Sequence, residues 1–282
     1  IPTVYDELRK EAEETIEKIL SKYPKALKMW RLLKDDPEVN ANLDIANFLV
    51  TGKLHFNDHG EVHAKVTTAN SLKMLQLLFK HGIEPDIVKE RAGDIDDAFL
   101  VVTAGAMLHD IGNLVHRENH HISSVILAVP ILNRLLKEIY DEPEIMYEIR
   151  NHILHVIYAH EYNVDDLTLE ASIVGVADGT DMTKGRGRLA FDRGKVDIHS
   201  VSALAINSVK IIEGEKRPIR ILIEMENSAG IFQIEKHLGV KLMHSKLKDL
   251  VEIVAIAKPE NVTVDKRIVH RVMIVGDEFK AF

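Results

Sequence analysis

The sequence predicts a mainly α-helical protein, a helical bundle followed by a small C-terminal α+β domain. Three observations carry this reading. Apolar residues recur at helical spacing, with charges between them, through roughly the first 190 residues, the pattern of helices that bury one face. Around residue 200 the texture changes to short β-branched-rich runs, which read as strands. Eleven of the fifteen histidines fall between His55 and His160, several inside apolar helical patterns, where a polar ring has to find a hydrogen-bond partner or a metal.

From Tyr5 to Leu20, Leu8, Ala12, Ile16, Ile19 and Leu20 form the apolar stripe of an amphipathic helix. Pro24 and the Asp36–Pro37 pair punctuate the next stretch; Asp36 is an N-cap with Pro37 at the first helical position of a helix through Val50, and Gly52 is its stop. Further helices are expected at about 61–80, 97–109, 119–139, 143–160 and 167–182. Met74, Leu75, Leu77 and Leu78 are core positions, and the carboxylates from Asp94 to Asp97 read as an acidic loop with an N-cap. Ser208–Ile212 and Ile219–Met225 flank a Glu-Gly-Glu-Lys-Arg-Pro turn, a hairpin signature. A helical stretch capped by Asn227 or Ser228, broken at Gly239 and ending near Asp249, leads to strands at Val251–Ala257 and Ile268–Val275, for a four-stranded sheet. The glycine- and arginine-rich stretch Gly185–Lys195 is the junction, so the expected units are an N-terminal helical extension at 1–49, a helical domain at 50–195 and the α+β domain at 196–282.

Composition removes several functions. The chain has no cysteine, which excludes disulfide scaffolds, cysteine nucleophiles and thiolate-ligated zinc or iron–sulfur sites; any metal has to sit on His and carboxylate. With 36 Lys plus Arg against 44 Asp plus Glu, the formal charge is −8, so nucleic acid is disfavoured as a bulk partner. No apolar run approaches the length of a membrane span, and the N-terminal segment is too charged for a secretory signal. A cytoplasmic protein is expected.

The sharpest local signal is Leu108-His109-Asp110-Ile111-Gly112, which closes the apolar run from Ala98 to Leu108. An adjacent His and Asp can ligate one divalent cation, and the Asp can bridge two. Other candidate ligands lie on neighbouring predicted helices: His63 in Glu-Val-His, His120 in Asn-His-His-Ile-Ser-Ser, His160 in Tyr-Ala-His-Glu, and Asp178 in Val-Ala-Asp-Gly-Thr-Asp. His59 stands four residues before His63, a spacing that puts both on one helix face; it reads as a helix N-terminal residue hydrogen-bonded locally, with Asn57 and Asp58 as caps, and a third metal position is the alternative.

In that order the residues resemble the HD superfamily of metal-dependent phosphohydrolases, over about residues 50–190. The superfamily's first His, His–Asp doublet and final Asp are matched by His63, His109-Asp110 and Asp178. In two-metal members further histidines stand between the doublet and the last Asp, where His120 and His160 fall. Ser124 occupies the small-residue position that favours His120, with His121 as the alternative; His152 and His155 share the helix of His160 and are alternatives to it. The Gly-Tyr-Pro signature of the cyclic-dinucleotide phosphodiesterase subgroup is absent. The whole chain is similar to an uncharacterised prokaryotic, largely archaeal, branch.

The resemblance implies an HD-type bundle with two divalent ions, one held by His63, His109, Asp110 and Asp178, the other by Asp110, His120 and His160, with Asp110 and His109 essential to catalysis. Such ions lower the pKa of bound water from about 15.7 towards about 7, so hydrolysis needs no protein nucleophile. Mixed N and O ligands suit Mn, Fe, Ni, Co or Zn, with Mg as a further option. Lys184, Arg186 and Arg188, with Gly185 and Gly187 between them, are candidates to grip the substrate phosphate; Lys65 and Arg117 are further ones. The expected substrate is a phosphate ester of a nucleotide or another phosphorylated small molecule. The alternatives are a di-iron oxygenase of the HD type, which would require iron and oxygen, and a non-catalytic nucleotide sensor, which would hold metal without turnover. The apolar strands at 219–225, 251–257 and 268–275 offer an edge to a second copy, so a homodimer is expected.

Overall fold

The computed structural model describes residues 4–183, 202–257, 271–275 and 278–281. It is mainly α, a helical bundle with a small sheet, as the periodicity predicts. The helices are α1 (Val4–Leu20), α2 (Pro24–Asp35), α3 (Pro37–Gly52), α4 (Glu61–Lys80), the one-turn α5 (Asp86–Lys89), α6 (Ile95–Leu108), α7 (His120–Leu135), α8 (Pro143–Ala159) and α9 (Leu169–Thr180), with a 3-10 turn at Ile111–Leu114. Among the described residues no helix is long and apolar enough to cross a membrane. The predicted junction near residue 195, and Lys184, Arg186 and Arg188 with it, lie outside the described residues.

Helix α6 organises the bundle. Its residues from Ala98 to Leu108 are all buried, as a helix apolar on every side must be, and it packs against α2, α4, α8 and α9. The carboxylates at its start do more than the expected acidic loop. Asp94 and Asp97 form a reciprocal capping box, which satisfies N–H groups left without intrahelical partners. Asp96 reaches across to accept the N–H groups of Lys25 and Ala26, both at 2.9 Å, at the first turn of α2. Pro24, read in the sequence as punctuation, is the first residue of that helix, a position where its missing N–H costs nothing; Met29, Trp30 and Leu33 from it are fully buried. Asp36 caps α3 as expected, accepting from the N–H groups of Glu38 and Val39 at 3.0 Å, and it also holds the guanidinium of Arg134.

The C-terminal part differs from expectation in two respects. Strands β1 (Ile206–Glu213), β2 (Ile219–Met225), β3 (Val251–Ala257) and β4 (Arg271–Val275) are joined by a fifth, β5 (Glu278–Ala281), too short and too charged to announce itself in the sequence. The sheet order is β1-β2-β3-β4-β5, antiparallel except for the parallel β2–β3 pair, whose crossover needs an intervening helical connection. That connection runs without a break through the 3-10 turn Ser228–Gly230, Ile231–Gln233, a π-turn at Ile234–Gly239 and Val240–Met243. Gly239 therefore does not break the helix: it keeps right-handed helical angles, φ −61 and ψ −44, because packing overrides the roughly 1 kcal/mol that glycine costs in a helix. Glu252 on β3 is fully buried and accepts from the N–H groups of Glu215 and Lys216 at 3.0 Å and from Arg220 Nε at 2.5 Å, which ties the hairpin turn to the sheet.

Asp36 supplies a test of the bundle's electrostatics. Burial disfavours its charged form, but the Arg134 guanidinium and the N–H groups of Val39 and Glu38 outweigh that and lower its pKa. Its contribution is thus present above the ordinary Asp value of about 3.9 and lost as pH falls through the lower folded value. Asp36→Ala should cost about 1–2 kcal/mol in urea unfolding at pH 7, and the difference from wild type should shrink below about pH 4.

Candidate metal centre

Helix ends bring the candidate ligands together. His63 lies in the first turn of α4, its N–H held by Asp58 Oδ2 at 3.2 Å. His109 caps the C-terminus of α6 and Asp110 begins the 3-10 turn after it. His120 opens α7, His160 caps the C-terminus of α8, and Asp178 sits in the last turns of α9. His63 and His109 are fully buried, and Asp110, His120 and His160 are no more than 3% exposed. The Asp178 side chain keeps 16% exposure.

The ligand atoms form overlapping groups: two share Asp110, and a third joins His109, His160 and Asp178. Around Asp110 Oδ2 stand His63 Nε2 at 3.4 Å and His109 Nε2 at 3.6 Å. Asp178 Oδ1 lies 3.1 Å from His63 Nε2 and 3.8 Å from His109 Nε2. Around Asp110 Oδ1 stand His120 Nε2 at 3.1 Å and His160 Nε2 at 3.8 Å. Ligands about 2.0–2.2 Å from a shared cation are themselves separated by about 3–3.5 Å, and the separations here, 3.1–3.8 Å, run from that range to a few tenths of an ångström beyond it.

The tautomers point the same way. His109 Nδ1 faces the Ala106 carbonyl at 2.7 Å, His120 Nδ1 the Arg117 carbonyl at 3.1 Å, and His160 Nδ1 the Ile157 carbonyl at 2.6 Å. A carbonyl only accepts, so each Nδ1 carries the proton. His63 Nδ1 likewise donates to Asp181 Oδ2 at 2.7 Å. With Nδ1 committed outward, each ring turns Nε2 inward: His63 and His109 meet at 3.2 Å, His120 and His160 at 3.1 Å. Where both rings of a pair are neutral their facing lone pairs repel, and a bound cation would remove that conflict.

Electrostatics hold the groups in ligating form. Burial pushes the pKa of His109 down against the pull of Asp110 and Asp178. Burial, with His109, His120 and Lys241 nearby, pushes His160 well below the ordinary imidazole range. For Asp110 burial acts in the opposite sense, but His109, His59, His120 and His63 together hold it well below the usual carboxylate range. Asp178 is held low in the same way by Lys241, His63 and His109.

The structure therefore brings His63, His109, Asp110, His120, His160 and Asp178 into one cluster. His121 lies against Tyr158, ring centroids 5.1 Å apart, and joins His120 and Glu161 in a further group of convergent ligand atoms rather than the set around Asp110. Among the described residues, the groups of three or more convergent ligand atoms include neither His152, His155 nor His59; His59 Nδ1 is bonded to the Asn57 carbonyl at 2.7 Å. Lys65 is removed from the phosphate candidates, because its buried ammonium is taken by Glu13 at 2.6 Å and by Glu61. Arg117 stays at the rim, 35% exposed, with Nη1 3.4 Å from His120 Nε2 and 3.9 Å from Asp110 Oδ1. Sequence reasoning missed two residues. Asp181 orients His63, and its spacing of three from Asp178 was a usable signal. Lys241, whose ammonium donates to Asp178 Oδ2 and, at 3.0 Å, to the His160 carbonyl, gave no signal at all.

The class is that of helical bundles whose helix ends converge on buried His and Asp, side chains that could hold a metal ion, and the comparisons specify it. The HD domain family matches residues 67–183, which takes in His109, Asp110, His120, His160 and Asp178 and begins four residues after His63. An uncharacterized protein of Methanocaldococcus jannaschii is 45% identical over 223 residues, covering 79% of this chain and 86% of that protein. The chain belongs to the HD domain family. No solved structure matches it.

Gly112 sets the distance between the two groups. A Cβ there would lie 2.0 Å from the His120 carbonyl oxygen and 2.4 Å from the Ser124 nitrogen, and the Gly112 N–H donates to Ser124 Oγ at 2.8 Å. Gly112→Ala must push the first turn of α7 away, so it should lower the metal content measured by mass spectrometry while leaving the His63–His109–Asp178 group able to bind. Retention of full wild-type metal content would count against that geometry. The lowered His109 and His160 values give a pH test on metal-free protein. As pH falls below about 6.5 the unfolded chain takes up protons that the folded one refuses, so the unfolding midpoint should drop between about pH 7 and pH 5. His160→Gln should flatten that slope.

Proposed function

We propose that this protein is a metal-dependent phosphohydrolase that cleaves a phosphate ester of a nucleotide or another phosphorylated small molecule. The observation that carries the reading is the shared carboxylate: Asp110 Oδ2 faces His63 and His109, while Oδ1 faces His120 and His160. Asp178 Oδ1 completes the first set. Divalent cations bound there supply an acidified water and positive charge for a phosphoryl group.

The chain's own residues do the rest. Asp181 and the Ala106, Arg117 and Ile157 carbonyls keep the four imidazoles in the tautomer that presents Nε2. Burial keeps bulk water from competing for the ligand atoms. Arg117, held by Asn113 Oδ1 at 3.3 Å, presents a guanidinium at the open rim beside His120, suited to a phosphate oxygen. Lys184, Arg186 and Arg188, which follow Asp178 within ten residues, are proposed as further phosphate contacts. Water adds across the ester P–O bond, giving the alcohol and inorganic phosphate, and no covalent enzyme intermediate is required.

Phosphate release from a panel of nucleotides and phosphate esters with added manganese tests this. Wild type should release phosphate from at least one class, and Asp110→Ala, which removes the carboxylate common to both groups, should reduce release to background. Metal-loaded wild type that releases phosphate from no ester would sink the proposal, and oxygen consumption by the iron-loaded protein would point to the oxygenase alternative.

A further inference from the structure

Lys241 stands on Val240–Met243, in the C-terminal part, yet its two hydrogen bonds end on two members of the cluster. One goes to Asp178 Oδ2 and the other to the carbonyl of His160 at 3.0 Å. The Lys241 and Asp178 side chains are only 15% and 16% exposed, so the pair is largely withdrawn from water, where an unpartnered charge is costly. With the ammonium on Oδ2, Asp178 offers Oδ1 alone to His63 and His109, at 3.1 and 3.8 Å. Its rotation is thereby fixed, in contrast to Asp110, which presents both oxygens. The second bond anchors the end of α8, from which the His160 ring projects.

The packing is shaped for this approach. A Cβ on Gly179 would lie 3.3 Å from both Leu238 Cα and Lys241 Cδ. A Cβ on Gly175, one turn earlier, would lie 3.6 Å from the His160 carbonyl oxygen. The approach of the C-terminal helix to α9 is thus tight at Gly179, while the His160 backbone passes Gly175 at ordinary contact distance. The π-turn Ile234–Gly239 immediately before places an extra residue in the turn, which rotates everything after it by about 100° relative to an uninterrupted helix. Lys241 owes its direction to that rotation.

We propose that Lys241 is a positioning residue for the metal centre, so that the C-terminal α+β part completes a site whose ligands all come from the helical part. The proposal rests on reading His63, His109, Asp110, His120, His160 and Asp178 as metal ligands. Manganese affinity of the full chain, measured by titration calorimetry with the metal alone, tests it. Lys241→Met should weaken binding about 10- to 100-fold, the loss seen when a group that orients a metal ligand is removed. Lys236→Met, on an exposed ammonium paired with Glu235 at 3.0 Å, should leave it unchanged. In an Asp178→Asn background Lys241→Met should add a smaller loss, because the route through that carboxylate is gone and only the bond to the His160 carbonyl is left. Equal affinity of Lys241→Met and wild type, or an undiminished loss in the Asp178→Asn background, would overturn the proposal. Should Lys241→Met fail to fold, Lys241→Gln reads the same quantity, since it keeps a polar side chain but removes the positive charge on Asp178: weaker binding supports the proposal and unchanged binding overturns it. Because no substrate is present, wild type that binds manganese but hydrolyses nothing would sink the phosphohydrolase reading and leave this one standing, whereas unaltered affinity in Lys241→Met would do the reverse.

Discussion

Four buried imidazoles, each with Nδ1 committed outward, turn their Nε2 atoms towards one another, and the architecture around them is built to hold that arrangement. The outward commitments are made at helix ends. The last carbonyls of a helix have no intrahelical N–H to accept, and Ala106 at the end of α6 and Ile157 at the end of α8 accept instead from the ring three residues further on. A C-terminal histidine therefore satisfies the helix and fixes its own tautomer with the same bond. Placing His109 and His160 at helix ends, and His120 at a helix start behind the Arg117 carbonyl, makes the inward-facing Nε2 atoms a property of the backbone.

That arrangement needs a rigid carrier. Helix α6 is apolar on all sides and central to the bundle, so the His–Asp doublet at its end is delivered to the middle of the protein. The carboxylates at its start bind both its own first turn and that of α2, which fixes the helix along its axis. Gly112 then lets the following turn lie directly against α7. The cluster's precision depends on these contacts far more than on the ligands' own side-chain preferences.

Charge is the second constraint. Two buried carboxylates, Asp110 and Asp178, are held well below the usual carboxylate range, and burying uncompensated charge is strongly unfavourable. Lys241 answers part of it, from a segment more than sixty residues away in sequence from Asp178. The remainder is negative charge that a bound cation would neutralise.

Whatever depends on neighbours along the chain was legible in the residues alone. Helix positions came from apolar periodicity and from caps such as Asp36, and the β1–β2 hairpin and β3 from β-branched runs. The doublet, with His63, His120, His160 and Asp178 on separate helices, could be read because each stands at a recognisable place in a local pattern. Even the missed start of α2 at Pro24 was a local signal, read as a break where it is a beginning. Contacts between distant segments settled the rest. Adjacent helical residues point about 100° apart, so the choice of His120 over His121 waited on how the turn at Gly112 docks against α7. Lys65 lies two residues from His63 yet faces away to Glu13 and Glu61, since helical spacing fixes relative faces but not which face meets the cluster. Strand β5 exists only because β4 offers it an edge. Lys241 reaches Asp178 through the packing of the C-terminal helix on α9, a long-range contact that no local pattern encodes.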